Sequence, residues 1–345
     1  MARILPNPVN PPDGAVTEPG AANHWRTVIG RFVAANSTLT VIVLLLIVFG
    51  LSSQYFLLPA NIFNIWRQMS VVAILGIGMT IVILVGGIDL SVGSVLFLSA
   101  GTTAAMLHNG VPTALAIVIS LIGGTAVGVL NGLLIEAAGI SPVIATLGTQ
   151  IGIRGLTLVL MNNAQIPVDD PFFVSLAITR TPGIPSIQMP GLQLTVILAF
   201  ALYIIVALLM RRTSVGRYLY AVGGNSRAAY LCGVPVMRVK IFAYIFCAFF
   251  AAVAGLFMAA AQGVIGPGIG AGLEFYAVAA AVLGGTRLSG GIGRVEKTLL
   301  GAMLLFMVLN YMTLGHVAAI WQQTATGLLV LAAVVLDRLA RRNQE

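Results

Sequence analysis

Charge is scarce in this chain. Asp, Glu, Lys and Arg make up 8% of its 345 residues, against about 25% in an ordinary soluble domain. Water-facing surface needs such side chains, so a conventional globular domain is excluded. Lysine is scarcer still: Lys240 follows Val239 and Lys297 follows Glu296. A phosphate-binding loop needs Gly-Lys-Ser/Thr, so the chain is expected to hydrolyse no ATP by itself. His24, His108 and His316 are scattered without metal-ligand spacing. Cys232 and Cys247 fit neither a disulfide framework nor a CxxC site, and neither metal nor cofactor is expected.

What the chain has in excess is apolar surface. Hydrophobic residues reach 59% and the mean hydropathy is +1.01. Ten membrane helices of about 20 residues each would absorb nearly all of it. The expected fold class is therefore an all-α polytopic membrane protein with about ten transmembrane helices. Apolar runs bounded by Gly, Pro, Asn and charge place candidate spans near 38–56, 69–87, 91–107, 112–135, 142–161, 193–210, 239–262, 272–284, 298–314 and 317–336. The eighth is short and flanked by glycines, which suits a broken or re-entrant helix. Together the spans form one transmembrane domain over 38–336. Residues 1–37 hold five prolines and no apolar run, and are expected to be a disordered tail rather than a signal peptide. Residues 337–345 form a short C-terminal tail.

The net charge of +8 would suggest nucleic acid in a soluble chain. In a membrane protein it reports basic loops on the cytoplasmic side, and no nucleic-acid partner is expected. Arg211, Arg212, Arg217, Arg227, Arg238 and Lys240 cluster in one loop, 211–238 and its edge. Arg287, Arg294 and Lys297 occupy another, while Arg338, Arg341 and Arg342 end the chain. Placing these inside leaves Arg67 and Arg180 in outer loops, so both termini are expected in the cytoplasm. The long loop 162–192 then faces outward.

Within the inner loop, Asn225 follows the flexible pair Gly223-Gly224 and suits a helix N-cap. Gly233 suits a left-handed C′ position, with Pro235 blocking continuation. The spacing predicts a helix over 226–232 that is too short to stand alone in water. It packs on its own membrane domain or docks in a cytoplasmic partner, with Ala228 and Ala229 allowing close approach. The segment Gly86-Gly87-Ile-Asp89-Leu-Ser91-Val-Gly93 joins the second and third spans. Its glycines end one helix, and Asp89 or Ser91 is expected to cap the next in preference to binding an ion. Gly284-Gly285-Thr-Arg287-Leu-Ser-Gly-Gly291 matches it at five of eight positions, which makes Asp89 and Arg287 a candidate ion pair.

Glu136 and Glu274 sit near span ends, where snorkelling to the interface would explain them. Thr146, Gln150 and Arg154 share one helical face. Such a stripe lines an aqueous path or hydrogen-bonds a neighbouring helix.

The motifs at 86–93 and Ala221-Val-Gly223-Gly224-Asn225-Ser-Arg227-Ala228-Ala229 resemble the permease subunits of ribose-type ABC sugar importers. Thr146-Leu-Gly148, Arg154-Gly155, Leu283-Gly-Gly-Thr286, Leu288-Ser-Gly-Gly291 and Asn310 extend the resemblance over roughly 60–336. It implies a type II-like importer permease of the bacterial inner membrane, homodimeric or pseudo-dimeric. It also implies two ATPase subunits below and an extracytoplasmic sugar-binding protein above. The loop around 225–232 would then be the coupling helix that contacts the ATPase. Glu274 and Asn310 join Thr146, Gln150 and Arg154 as candidate pathway residues. Tyr276 and Arg287 depart from the aspartate and serine common in relatives. An ion-coupled secondary carrier using Asp89 or Glu274 is the alternative; it would need carboxylates at mid-membrane and no docked short helix. A channel is disfavoured for want of a charge ring.

Overall fold

A computed structural model describes residues 37–179, 181–183 and 191–342, whose regular secondary structure is helical apart from one small strand pair. The tail expected over 1–37 lies outside the described residues except for Ser37. In chain order the helices are α1 (Ser37–Ser52), α2 (Pro59–Leu84), α3 (Val92–His108), α4 (Thr113–Glu136), α5 (Pro142–Leu160), α6 (Pro171–Ile178), α7 (Leu194–Arg212), α8 (Ser214–Gly224), α9 (Ser226–Leu231), α10 (Val236–Gln262), α11 (Leu273–Leu283), α12 (Val295–Leu314) and α13 (Ala319–Arg342). Two short strands, β1 (Ile166–Pro167) and β2 (Val264–Ile265), pair antiparallel.

Six of these helices, α2, α4, α5, α7, α10 and α12, are long and apolar enough to cross a membrane among the described residues. The chain is a multi-pass membrane protein. Helix α2 begins at Pro59, ten residues ahead of the expected 69, because Asn61, Asn64, Arg67 and Gln68 continue the helix rather than precede it. Pro59 opens it with a preset φ where the missing N–H costs nothing. Helix α11 has 11 residues, about 16 Å of rise, and cannot cross a hydrocarbon core of about 30 Å. Gly272 starts it in the left-handed region (φ 83°), in accord with the broken helix expected there.

Helix α2 is the centre of the bundle. Every residue from Val72 to Leu84 is buried, which suits its all-round apolar sequence. Helix α10 lies against α2, α3 and α4. Close approach is permitted by small residues. Gly124, Gly128 and Gly132 form one i, i+4 row on α4, and a Cβ at Gly128 would come within 2.6 Å of Tyr244 O on α10. Lipid tails are as apolar as Leu, so such backbone-level packing drives association in membranes. Helix α5 is peripheral and mostly exposed, whereas most of α2 is buried.

The polar contacts sort the loops into two ends. At one end, His108 Nδ1 lies 3.1 Å from Asp169, Thr113 Oγ1 donates to Asp170 (2.7 Å), and β1 pairs with β2. At the other, Arg211 pairs with Glu296, and Lys240 with Glu136 at 3.2 Å. The described segment 162–179 is thus opposite the basic loops. It is not plain coil, since Asp170 caps α6 by accepting from Phe173 N–H (2.7 Å). The loop 211–238 likewise contains α8 ahead of the expected short helix.

Candidate functional site

The short helix forms where its punctuation predicts it. Asn225 Oδ1 accepts from Ala228 N–H at 2.9 Å and caps α9. Gly233 takes φ 82°; its N–H bonds Tyr230 O, and Val234 N–H bonds Ala229 O. That pair of bonds is a Schellman ending. One expectation is corrected. Ala229 is 5% exposed and packs into the apolar core, because it occupies the turn whose carbonyl closes the helix end against Val234. Ala228 points outward beside Arg227, Tyr230 and Leu231. Ala229 thus packs α9 on its own membrane domain, while Arg227, Ala228, Tyr230 and Leu231 are exposed.

Behind α9 three glycine-bearing segments meet. Gly291 N–H donates to Leu84 O at 2.9 Å, joining the loop before α12 to the end of α2. Gly223, in the last turn of α8, lies on that bond so closely that a Cβ would run into Leu84 O. Gly224 has nothing within 4 Å of an added Cβ.

Gly86 (φ 81°) ends α2 with bonds from Gly86 N–H to Ile83 O and from Gly87 N–H to Val82 O. Gly285 (φ 86°) ends α11 likewise, through Val282 O and through Thr286 N–H to Ala281 O. The two motifs thus share a fold but are offset by one residue from their sequence match. They then diverge: the first enters α3 at Val92, whereas the second makes a further glycine turn before α12. Asp89 and Arg287 are consequently not equivalent and form no ion pair.

Asp89 is fully buried and binds the backbone at the N-terminal end of α3. Its Oδ1 accepts from Ser91 N–H (2.9 Å) and Ser91 Oγ (2.6 Å), and Ser91 itself makes no side-chain cap. Asn131 Nδ2 donates to Ser91 Oγ (2.9 Å), and Thr149 Oγ1 donates to Asn131 Oδ1 (2.8 Å). This chain links α4 and α5 to the 86–93 segment, with Gly93 packed against the Glu274 carboxylate. Glu274 does not snorkel: it is 3% exposed, and its Oε1 accepts from Gln150 Nε2 at 2.8 Å. Within the first turn of α11, Glu274 faces the bundle while Phe275 is exposed. Asp89 Oδ2 and Glu274 Oε2 are buried and make no hydrogen bond within the chain. Each can accept a proton donor, such as a hydroxyl.

Of the polar stripe on α5, Gln150 and Arg154 hold the segment around α11. Arg154 donates to Pro267 O and Ile269 O, both at 3.1 Å, and lies 5.1 Å from the Phe97 ring centroid. Thr146 bonds back to Pro142 O in its own helix. Asn310 lies apart, in a reciprocal amide pair with Asn61 at 2.9 and 3.0 Å. Asn131 was missed by the sequence reading. As the one amide in the apolar run 113–135, it carried a signal that could have been used.

The fold and site define a membrane permease with a capped helix exposed at its basic end. The family described as branched-chain amino acid transport system / permease component matches residues 61–336, and the chain belongs to it. Within that family the chain is a ribose-type permease of the ABC importers. It is 36% identical over 313 residues to the ribose import permease protein RbsC of Haemophilus influenzae, covering 90% of this chain and 94% of that one. Identity to the ribose import permease protein RbsC of Bacillus subtilis is 39% over 297 residues, covering 86% and 90%. The D-allose transport system permease protein AlsC of Escherichia coli is 36% identical over 304 residues, covering 88% and 91%. No solved structure matches the chain.

Proposed function

We propose that this chain is the transmembrane subunit of an ATP-driven importer for ribose or a closely related monosaccharide. The observation that carries the reading is α9, anchored by Ala229 and presenting Arg227, Ala228, Tyr230 and Leu231 outward. A capped six-residue helix with exposed aromatic and aliphatic side chains on a cytoplasmic loop suits docking into a groove of a partner ATPase. Ten segments pass through or into the bilayer, with α11 re-entrant and both termini cytoplasmic. Two copies form the pathway, two ATPases sit at the α9 end, and a sugar-loaded binding protein docks at the β1–β2 end. The setting is the bacterial inner membrane.

ATPase closure would push on α9 and, through Gly223, on Leu84 and Gly291. Alternating access follows when that push changes the packing of the loops at 86–93 and 284–294. Asp89, Ser91, Asn131, Gln150 and Glu274 would supply hydrogen-bonding groups to a polyol in passage. An ion-coupled carrier is the less favoured reading, because it would have no need of a short helix presented for docking.

The test is uptake of labelled ribose into proteoliposomes holding this chain, its ATPase and its binding protein. ATP-dependent accumulation that stops when any one component is omitted is expected. Uptake driven by a sodium or proton gradient without ATPase would overturn the assignment.

A further inference from the structure

Among the buried side-chain atoms that make no hydrogen bond within the chain, two are complementary and lie at one place: Asp89 Oδ2 and Tyr244 Oη. Tyr244, on α10, is 2% exposed, and its hydroxyl lies over Gly87 so closely that a Cβ there would run into it. Asp89 is two residues further along the same segment, fully buried, and its charge acts on Tyr244. A phenol can donate, whereas an ionised carboxylate oxygen only accepts. A donor without an acceptor thus sits beside an acceptor without a donor.

Nearby groups are already committed elsewhere. Asp89 Oδ1 takes both bonds from Ser91, inside its own segment. Lys240 on α10 and Glu136 on α4 are closed on each other at 3.2 Å. Buried polar atoms left unpaired keep their full desolvation cost, so a conformation in which Oη meets Oδ2 is favoured by that contact. The two sides differ in freedom. Helix α10 is held at backbone level, with Tyr244 O against Gly128 and Cys247 against Gly78. The segment 86–93 opens with Gly86 at φ 81° and has no Cβ at Gly87 to obstruct the phenol. Leu84, just ahead of it, carries the bond from Gly291 beside Gly223. The carboxylate is therefore on the side that can shift, and the phenol is on the side that stays.

We propose that Tyr244 is a positioning residue of the transport cycle, whose hydroxyl releases Asp89 in this conformation and donates to Asp89 Oδ2 in the other transport state. The pair then latches the 86–93 segment to α10 on one side of the cycle only. This rests on the alternating-access reading above, and gives that reading a two-state contact made of named atoms. Tyr244 acts through Asp89 and needs no contact with the sugar.

The test uses the complete transporter in lipid bilayers: this chain, its ATPase and its binding protein. Hydrogen exchange at 86–93 is followed without nucleotide and with ADP and vanadate trapped on the ATPase. Tyr244→Phe should accelerate exchange about tenfold or more in one state, the scale of a bond to a charged group, and leave the other state unchanged. Tyr203→Phe removes another buried phenol bond, to Ala73 O at 2.8 Å, and should leave 86–93 unchanged in both states. In an Asp89→Ala background, Tyr244→Phe should add nothing. Equal acceleration in both states would mean a fixed contact and overturn the latch. No acceleration in either state, or effects that multiply with Asp89→Ala, would overturn the pairing. Ribose uptake by the wild type in the same preparation separates the two levels of failure: ATP-driven uptake with any of these outcomes sinks the latch alone, and its absence sinks the importer reading together with the latch. Should Asp89→Ala not assemble, infrared difference spectra between the two states, with carbon-13 aspartate in this chain, decide instead. A carboxylate band shift seen in the wild type and lost in Tyr244→Phe supports the latch, and the same shift in both overturns it.

Discussion

Gly223→Ala separates packing from propensity, because the two predict opposite signs. Gly223 lies in the last turn of α8 with a φ outside the left-handed region, so Ala fits its backbone. Propensity alone would make the substitution stabilising by about 0.5–1 kcal/mol. The contacts say otherwise. The new Cβ would overlap Leu84 O and lie 2.7 Å from Gly291 N, the two ends of a 2.9 Å hydrogen bond. No side chain can swing away, since both neighbours are backbone. Overpacking of this kind costs about 1–3 kcal/mol, and leaving the buried N–H and C=O unpaired adds about 1–3 more. A local loss of about 2–6 kcal/mol would detach α8–α9 from the end of α2 and the loop before α12 without emptying the core around α2 and α10. Gly224→Ala is the control, since nothing lies within 4 Å of its added Cβ. In proteoliposomes with the ATPase and binding protein, Gly223→Ala should retain ATP hydrolysis but lose sugar uptake at least tenfold. Gly224→Ala should transport as the wild type does. Equal transport by both variants would refute the junction as a force-bearing contact.

The two alanines of α9 should behave differently. Ala228→Trp, on the exposed side, should leave melting in detergent unchanged and abolish ATPase co-purification, whereas Ala229→Trp should lower the melting temperature first; matching profiles would refute the assigned faces. Cys232 is exposed near the basic end and Cys247 is buried. An impermeant maleimide should therefore miss the wild type in intact cells and label Cys232 alone after lysis, while labelling Ala164→Cys, on the opposite end, in intact cells; the reverse pattern would invert the topology. Asp170 is held below its ordinary value, 3.8, first by Phe173 N–H and then by Thr113 Oγ1. A lowered folded pKa means that its stabilisation is complete above about pH 4 and is lost as pH falls through the folded value. Hydrogen exchange in α6 should accelerate in acid in the wild type, and Asp170→Asn, which keeps a capping side chain, should flatten that dependence.

Local chemistry was legible in the sequence wherever one residue decides a backbone state. Asn225, Gly233 and Gly86 read correctly as cap and terminators because cap and left-handed geometries depend on few neighbours. The helices also fall close to the apolar runs, since bilayer thickness imposes their length. Faces were less legible. Ala228 and Ala229 are adjacent and chemically identical, and only tertiary packing turns one inward. Glu274 was misread for a related reason. Its position near the end of an apolar run suggests an interface, but α11 is too short to reach one at both ends. The repeat misled more subtly: identical Gly-Gly-x-x-Leu-Ser strings fold with a one-residue offset, because the Schellman geometry, not the string, chooses which glycine turns left-handed.

The distribution of polar bonds indicates which parts can move. Helices α2 and α10 meet through backbone-level contacts, such as Gly78 against Cys247, which have no alternative arrangement. Helix α5 and the segment leading into α11 are joined instead by Gln150–Glu274 and by Arg154 to two carbonyls. Such bonds can exchange for water or for the hydroxyls of a sugar at modest net cost. Bistable elements are more readily built from exchangeable polar contacts than from close-packed glycine rows. The glycine junction at Gly223, Leu84 and Gly291 connects α8 and α9 to the rigid part, while the buried carboxylates line the exchangeable part. A push on α9 thus reaches the 86–93 segment through backbone before it reaches any side chain that could yield. If the proposed alternating access holds, the exchangeable contacts are where its two states are expected to differ, and the close-packed core is where they are expected to coincide.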